Sequence, residues 1–135
     1  MAVAELAGLP VGAVAAEERY RVTPEAVVRY AGASGDFTAV HYDYDVARQA
    51  GYTRMFAMGM LSAGHLGALL VRLAGEAAVL ELTVRFRERS WLGEDVTCRA
   101  VVAERDPVAG TVRLDLAALA PDGRALSTGS ALLRI

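Results

Sequence analysis

The sequence lacks several features that would assign it to a particular class of protein. It has one cysteine, Cys98, so it cannot form an internal disulfide. Its formal net charge of −2 gives no electrostatic reason to expect nucleic acid or an anionic membrane as a partner. The opening residues MAVAELAGLPVG have no basic region before the apolar ones, so they do not resemble a signal peptide. We therefore expect a cytoplasmic protein.

The composition is that of a folded domain. Of the 135 residues, 54% are hydrophobic and 22% are charged, which argues against disorder and for an apolar interior or a large apolar interface. This length suits a single domain, which we expect to span residues 1–135.

Local signals divide the N-terminal half into a strand and two short helices. Thr23 followed by Pro24 is typical of a helix start, so we predict a strand up to this point and then the helix PEAVVRYAGAS. Glycines in the region 32–35 end that helix and open a loop. Asp43 or Asp45 is suited to cap a second helix, VARQAG.

The most distinctive segment is the apolar stretch from Met58 to Ala74. It predicts a helix of about 25 Å, at about 1.5 Å per residue, that is apolar nearly all round and must be buried. A membrane span is the rival interpretation, but the stretch is shorter than the usual ~20 residues and contains Ser62, His65 and Arg72. Its glycines and other small residues predict close approach of another backbone.

Four C-terminal segments have the character of strands: LELTVRFRERSW, DVTCRAVVAERD, TVRLDLAALA and RALSTGSALLRI. Turn signals between them predict an antiparallel meander. In the first segment, Leu80, Leu82, Val84 and Phe86 share one face, which we expect the long helix to cover. The predicted fold is therefore α+β, with one buried helix against a curved antiparallel sheet.

The loop ASGDFTAVHYDYD, residues 33–45, contains the candidate chemistry. Asp36 and His41 suit an acid and base pair, although residues of these types in a turn are more often a turn former and a hydrogen-bonded histidine. A metal site that adds Asp43 and Asp45 is disfavoured, because these aspartates are suited to cap a helix and no second histidine is nearby. Cys98 alternates with apolar residues and is expected to be an inert buried thiol.

Two motifs carry a family resemblance over nearly the whole chain. YAGASGDFTAVHYD resembles the hydratase signature of the MaoC-like dehydratases and (R)-specific enoyl-CoA hydratases, which is usually Gly-Asp-x-Asn-Pro-x-His. FAMGMLSAG resembles the start of the central helix in that family, which is commonly written with His-Gly-Met. Thr38, Ala39 and Met58 depart from the usual Asn, Pro and His.

The resemblance implies the hotdog fold and a hydro-lyase. Asp36 and His41 would hold one water and add it to a trans-2-enoyl thioester, giving the (R)-3-hydroxyacyl product by syn addition, or catalyse the reverse. The backbone N–H of Gly59, at a helix N-terminus, is the expected oxyanion donor. Thr38, Met58 and Ser62 are weaker candidates for supporting or substrate-binding roles. We expect no metal or redox cofactor, with coenzyme A or phosphopantetheine present only as part of the substrate.

The open edges of a small sheet and the apolar composition predict a homodimer or higher homo-oligomer. The resemblance implies that two hotdog units pair edge to edge, and it also allows a heterodimer with a homologous hotdog subunit.

Other interpretations remain open at this stage. An acyl-CoA thioesterase or a non-catalytic hotdog subunit of a heteromeric dehydratase are the alternative functions. His65 could belong to a second centre, but a core or interface histidine is the better interpretation. Three arginines on one strand, Arg85, Arg87 and Arg89, could meet phosphates of a carrier, although a charged stripe is usually only solvated.

Overall fold

The computed structural model describes residues 3–135, so Met1 and Ala2 of the predicted single domain lie outside the described residues. The helices are α1 (Val3–Gly8), α2 (Pro24–Ser34), α3 (Tyr44–Gln49) and α4 (Gly59–Ala74). The strands are β1 (Val14–Arg21), β2 (Val79–Phe86), β3 (Asp95–Asp106), β4 (Thr111–Leu119) and β5 (Ala125–Arg134).

The five strands form one antiparallel sheet in the order β1-β3-β4-β5-β2, and α4 contacts all five. The hydrophobic core lies between α4 and the sheet. Leu66, Leu69 and Leu70 of α4 are at most 1% exposed, as are the inward residues of β3, which include Cys98. The predicted α+β arrangement of one central helix against an antiparallel sheet is therefore confirmed, and so is the burial of the thiol.

The predicted helix caps also form. The Thr23 hydroxyl accepts a hydrogen bond from Ala26 N at 3.0 Å, and Pro24 occupies the first turn of α2. Asp43 caps α3 by accepting bonds from the backbone N–H groups of Asp45 and Val46, so Asp45 belongs to the first turn instead. Helix α1 is an element that the sequence signals did not indicate, and its Leu6 is fully buried.

The predicted four-strand meander is wrong at β2. Strands β3, β4 and β5 follow one another in space, but β2 pairs with β5 at one edge and β1 pairs with β3 at the other. The predicted strand over residues 80–91 also ends early, at Phe86. Residues 87–94, which we call the crossover segment, carry the chain from β2 to β3, and their Gly93 N–H donates to Val22 O at 2.7 Å.

Helix α4 is buried along the side that faces the sheet, as predicted, but one of its faces is exposed. Met60, Gly64 and Val71 lie on one exposed face, with Met60 55% exposed. The apolar face of β2 is turned toward α4, as the contact between Leu82 and Gly67 shows, yet Leu82 remains 41% exposed because β2 is an edge strand. Apolar side chains of α4 and β2 are therefore left exposed at this edge of the sheet, and we call them the open apolar surface beside β2.

Close approach of backbones occurs at Gly129 rather than along α4. A Cβ at Gly129 would lie 2.1 Å from the backbone oxygen of Thr83, across the β2–β5 pair. We expect Gly129→Ala to lower the free energy of unfolding by about 2 kcal/mol, because the strands must separate to admit the methyl group. Denaturant unfolding checks this result. Gly32→Ala is the matched control, because nothing lies within 4 Å of its Cβ position in α2. A similar stability for both variants would contradict this view of the strand pair.

Candidate active site

The loop after α2 fixes the carboxylate of Asp36. Gly35 ends α2 in the left-handed conformation, at φ 74°, which turns the chain away from the helix axis. Asp36 Oδ1 then accepts hydrogen bonds from the hydroxyl of Thr38 at 2.7 Å and from its backbone N–H at 3.2 Å. Thr38 thus orients the carboxylate in the place where the family signature usually has asparagine.

These bonds also affect the charge of Asp36. The Thr38 hydroxyl, followed by the Thr38 N–H, holds the pKa of the Asp36 carboxyl below its ordinary value, because both donors favour the charged form. Asp36 is therefore a carboxylate at neutral pH, and its side chain is 40% exposed.

The tautomer of His41 follows from its hydrogen bond. Its Nδ1 lies 2.7 Å from the backbone oxygen of Phe56. A carbonyl oxygen only accepts, so Nδ1 carries a proton and the neutral ring offers its lone pair at Nε2. This Nε2 lies 3.8 Å from Asp36 Oδ2, too far for a direct hydrogen bond. His41 is only 8% exposed, so its orientation is held by packing as well as by this bond.

The N-terminus of α4 lines the same cleft as His41. Gly59 is the first residue of α4, where a backbone N–H has no acceptor within the helix, and Met58 precedes it without a capping hydrogen bond from its side chain. Met58 is 3% exposed. The ring of Phe86 lies so close to Gly59 that a Cβ there would be 3.0 Å from it. Glycine therefore leaves room for the ring at the end of β2.

A cleft of about 280 Å³ lies between His41 and the N-terminus of α4. Four of the predicted site residues line it, namely His41, Met58, Gly59 and Ser62, whereas Asp36 and Thr38 do not. Its remaining wall includes Phe86 and much of the crossover segment. The cleft thus lies between the start of α4 and the end of β2. The Nε2 atom of the His41 ring is the ring nitrogen near Asp36.

Three serines line the cleft, and they differ in their hydrogen bonds. The hydroxyl of Ser62 donates to Gly59 O at 2.9 Å and lies 2.6 Å from the Ser127 hydroxyl. Ser62 therefore stabilises the first turn of α4, and its hydroxyl proton is already donated to an acceptor within the protein. Among the described residues, the buried hydroxyl of Ser90 has no hydrogen-bond partner.

The remaining candidates are His65 and the three arginines. His65 stacks on Tyr20 with the ring centroids 3.6 Å apart, and burial lowers the pKa of its imidazole. Residues Arg87 and Arg89 lie in the crossover segment rather than on β2, and both line the cleft. The guanidinium of Arg89 stacks 4.6 Å above the ring of Tyr52.

Residues 3–135 contain no group of three or more His, Cys, Asp or Glu side chains that could hold a metal ion. Within the same range, no helix is long and apolar enough to cross a membrane.

Two contributors to the site were not predicted. The Phe56 carbonyl sets the His41 tautomer, but a backbone group has no sequence signal. Ser127 lies 65 residues after Ser62 and meets it only because β5 packs against α4.

Comparison with known proteins identifies the family. A model of the MaoC-like domain matches residues 7–118. No curated protein sequence matches the chain. Among solved structures, the unliganded R-hydratase PhaJ1 from Pseudomonas aeruginosa is 27% identical with a TM-score of 0.84, covering 93% of this chain and 81% of that one.

Two further structures share the fold at lower identity. The (R)-hydratase from A. caviae involved in PHA biosynthesis is 23% identical, with a TM-score of 0.84 over 94% of this chain and 97% of that one. A chain of the ChsH1–ChsH2 complex from Mycobacterium tuberculosis is 23% identical, with a TM-score of 0.82 over 93% and 98% of the two chains. The described residues have the hotdog fold, and the chain belongs to the MaoC-like domain family.

Proposed function

We propose that the chain is a hydro-lyase that reversibly adds water to a trans-2-enoyl thioester and yields the (R)-3-hydroxyacyl thioester. The observation that carries this proposal is the arrangement of Asp36 and His41. A carboxylate oxygen and an imidazole nitrogen with a free lone pair lie 3.8 Å apart, which lets a single water donate a hydrogen bond to each.

The chemistry proceeds as one proton relay beside the double bond. As the water oxygen bonds to C3, the Asp36–His41 pair removes a proton from the water and returns a proton to C2. Asp36 and His41 act from one side of the substrate, so the water oxygen and the proton are added to the same face of the double bond. Elimination of water is the same path in reverse.

The thioester oxygen gains negative charge as C3 is attacked, and the Gly59 N–H is the group proposed to stabilise it. This amide is at the positive end of the α4 dipole, and it lacks an intrahelical acceptor. A donor aimed at charge that develops in the transition state lowers the barrier more than one that binds the ground state equally.

The proposed reaction has no step that requires a redox cofactor. Water addition moves protons and forms one C–O bond, with no net transfer of electrons to or from the protein. Coenzyme A or phosphopantetheine would enter as the carrier of the acyl group.

The test measures two products on the same samples over a panel of acyl chains. Loss of the enoyl-thioester absorbance reports hydration, and release of free thiol reports thioester hydrolysis. We expect hydration without thiol release. Thiol release at a comparable rate would instead favour a thioesterase, and the absence of both reactions would favour a non-catalytic subunit.

Thr38 is expected to set the acid limb of the pH profile. Thr38→Val removes the hydroxyl bond that lowers the pKa of Asp36, so this pKa rises toward its ordinary value. The carboxylate is then protonated at a higher pH, and the acid limb of kcat/KM moves upward. The pH dependence of the Asp36 carboxyl ¹³C signal checks this. Thr38→Ser keeps the hydroxyl and should leave the limb in place, and equal pKa values in the two variants would contradict the assignment.

We also propose that two copies of the fold pair through the open apolar surface beside β2. Leu80, Leu82 and Phe86 are each at least 40% exposed there, next to Met60 and the exposed face of α4. The pairing of different chains in the ChsH1–ChsH2 complex is consistent with an alternative in which the second copy is a homologous chain.

Sedimentation at micromolar concentration is expected to show a dimer or a higher oligomer. Leu82→Glu should shift the population toward monomer, because it introduces a charge into the apolar surface. Val108→Glu is the matched control, because Val108 is 98% exposed in the β3–β4 turn. A monomeric unaltered chain, or equal effects of both substitutions, would contradict this interface.

A further inference from the structure

One isolated β-bridge outside the main sheet includes Phe56, whose carbonyl contacts His41. Phe56 pairs with Trp91 in an isolated antiparallel bridge. The backbone bonds lie on either side of this pair, from Leu92 N to Met55 O at 3.2 Å and from Ala57 N to Ser90 O at 2.8 Å. Such a pair leaves the N–H and C=O groups of its two central residues directed away from each other.

Each outward group has a different partner. The outward carbonyl of Phe56 accepts the His41 Nδ1 proton at 2.7 Å. On the opposite side, the outward N–H of Trp91 donates to Glu94 Oε2 at 3.0 Å. The Glu94 carboxylate therefore takes the place that the carbonyl of a third strand would occupy. One two-residue bridge thus joins His41 on one side to Glu94 on the other.

Glu94 is itself held firmly. Its side chain is 13% exposed and forms an ion pair with Arg124. The Glu94 N–H donates to Trp91 O at 3.2 Å, and its carbonyl accepts from Val22 N at 2.9 Å. Arg124 also donates to the carbonyl of Arg89 at 3.3 Å. This cluster anchors the crossover segment to the start of β5 and the end of β1.

We propose that Glu94 is a positioning residue for His41. By accepting the Trp91 N–H, its carboxylate fixes the Phe56–Trp91 bridge, and the bridge in turn fixes the carbonyl that keeps the proton on Nδ1. Glu94 thereby keeps the His41 Nε2 lone pair directed toward Asp36. This inference rests on the proposed function, since it assigns to Glu94 a role in the geometry of the same pair.

The test observes the tautomer directly. The chain has two histidines, so ¹⁵N NMR of the imidazoles resolves His41 and uses His65 as an internal reference. In the unaltered protein, neutral His41 is expected to carry its proton on Nδ1. Glu94→Ala should move part of the population to the Nε2–H form and lower kcat about tenfold, because small misplacements of a catalytic group are costly. His65 should be unaffected.

Three variants separate positioning from stability. Glu94→Gln keeps an oxygen that accepts the Trp91 N–H, so it should preserve the tautomer and most of kcat despite losing the charge. Asp122→Ala removes the other carboxylate bound to Arg124 without touching Trp91, and it should also leave His41 unchanged. Glu94→Leu preserves the packing volume but accepts no hydrogen bond, and it replaces Glu94→Ala if that variant does not fold.

The outcomes distinguish a role of Glu94 in positioning His41 from a role in stability alone. A changed His41 tautomer in the variants without an acceptor, but not in Glu94→Gln, supports the proposal even if the unaltered chain shows no hydration, in which case only the proposed function fails. An unchanged His41 spectrum in folded Glu94→Ala or Glu94→Leu overturns it, whatever happens to kcat.

Discussion

Asp36→Asn and His41→Ala are each expected to reduce the kcat of enoyl-thioester hydration by about two to four orders of magnitude, while both variants remain folded. Each removes one of the two groups proposed to share the water, and proton transfer by a positioned side chain contributes on this scale. Asp36→Asn keeps an oxygen that can accept the Thr38 bonds, so it removes charge with little change in the loop. Enzyme kinetics with a good enoyl-CoA substrate, alongside thermal unfolding, checks the result.

One control replaces His41 by a different side chain, and the other changes a nearby aspartate. His41→Asn retains a donor for the Phe56 carbonyl but loses Nε2, so it should be as inactive as His41→Ala and more stable. Asp45→Asn, in the first turn of α3, should retain activity. Because Asp36 and His41 act on one water, the double variant should lose little more than either single variant. Near-native activity in either single variant would rule out the proposed mechanism.

Gly59→Pro is expected to lower kcat roughly a hundredfold relative to Gly59→Ala, which corresponds to about 3 kcal/mol for one oxyanion donor. The backbone conformation around Gly59 suits this comparison. Proline is favoured in the first turn of a helix, and Met58, at ψ 138°, already has the extended conformation that a following proline requires. The substitution therefore deletes the N–H at a position where the backbone accepts it.

The alanine variant is a control for the added carbon as well as for the amide. Both substitutions place a Cβ about 3.0 Å from the ring of Phe86, so both disturb this contact and only proline removes the N–H. Repeating the pair in a Phe86→Leu background relieves the contact. Equal turnover in the folded variants would move the oxyanion site elsewhere. Ser62 already donates to Gly59 O, which leaves the unpaired Ser90 hydroxyl as the next donor to test.

The parts of the fold predicted from the sequence depend on local signals. The Thr23 cap, the Gly35 helix end and the alternation around Cys98 each reflect interactions within a few residues, and each appears in the structure. The family resemblance implied that Asp36 and His41 lie close enough to share one water, and in the structure His41 Nε2 lies 3.8 Å from Asp36 Oδ2. Their catalytic roles remain a proposal.

Long-range pairing explains what the sequence analysis missed. The turn signal between the first two predicted C-terminal strands suggested a hairpin between β2 and β3, yet Gly93 bonds to Val22 and β2 lies at the far edge beside β5. Nothing in the local pattern of residues 80–91 distinguishes a neighbour that is close in sequence from one that is distant. The same holds for the Phe56 carbonyl, which meets His41 from 15 residues away.

The two walls of the cleft, α4 and β2, differ in local stability because β2 is an edge strand. The wall formed by α4 is held by contacts with every strand, whereas β2 has a backbone partner only in β5. Segments with fewer buried contacts open at lower free energy than the core, so the edge strand β2 should open before α4 moves. Opening of β2 would move the ring of Phe86 away from Gly59. A second chain bound along this edge would slow the opening of β2. It would therefore control access to the cleft, even if none of its residues touched the substrate.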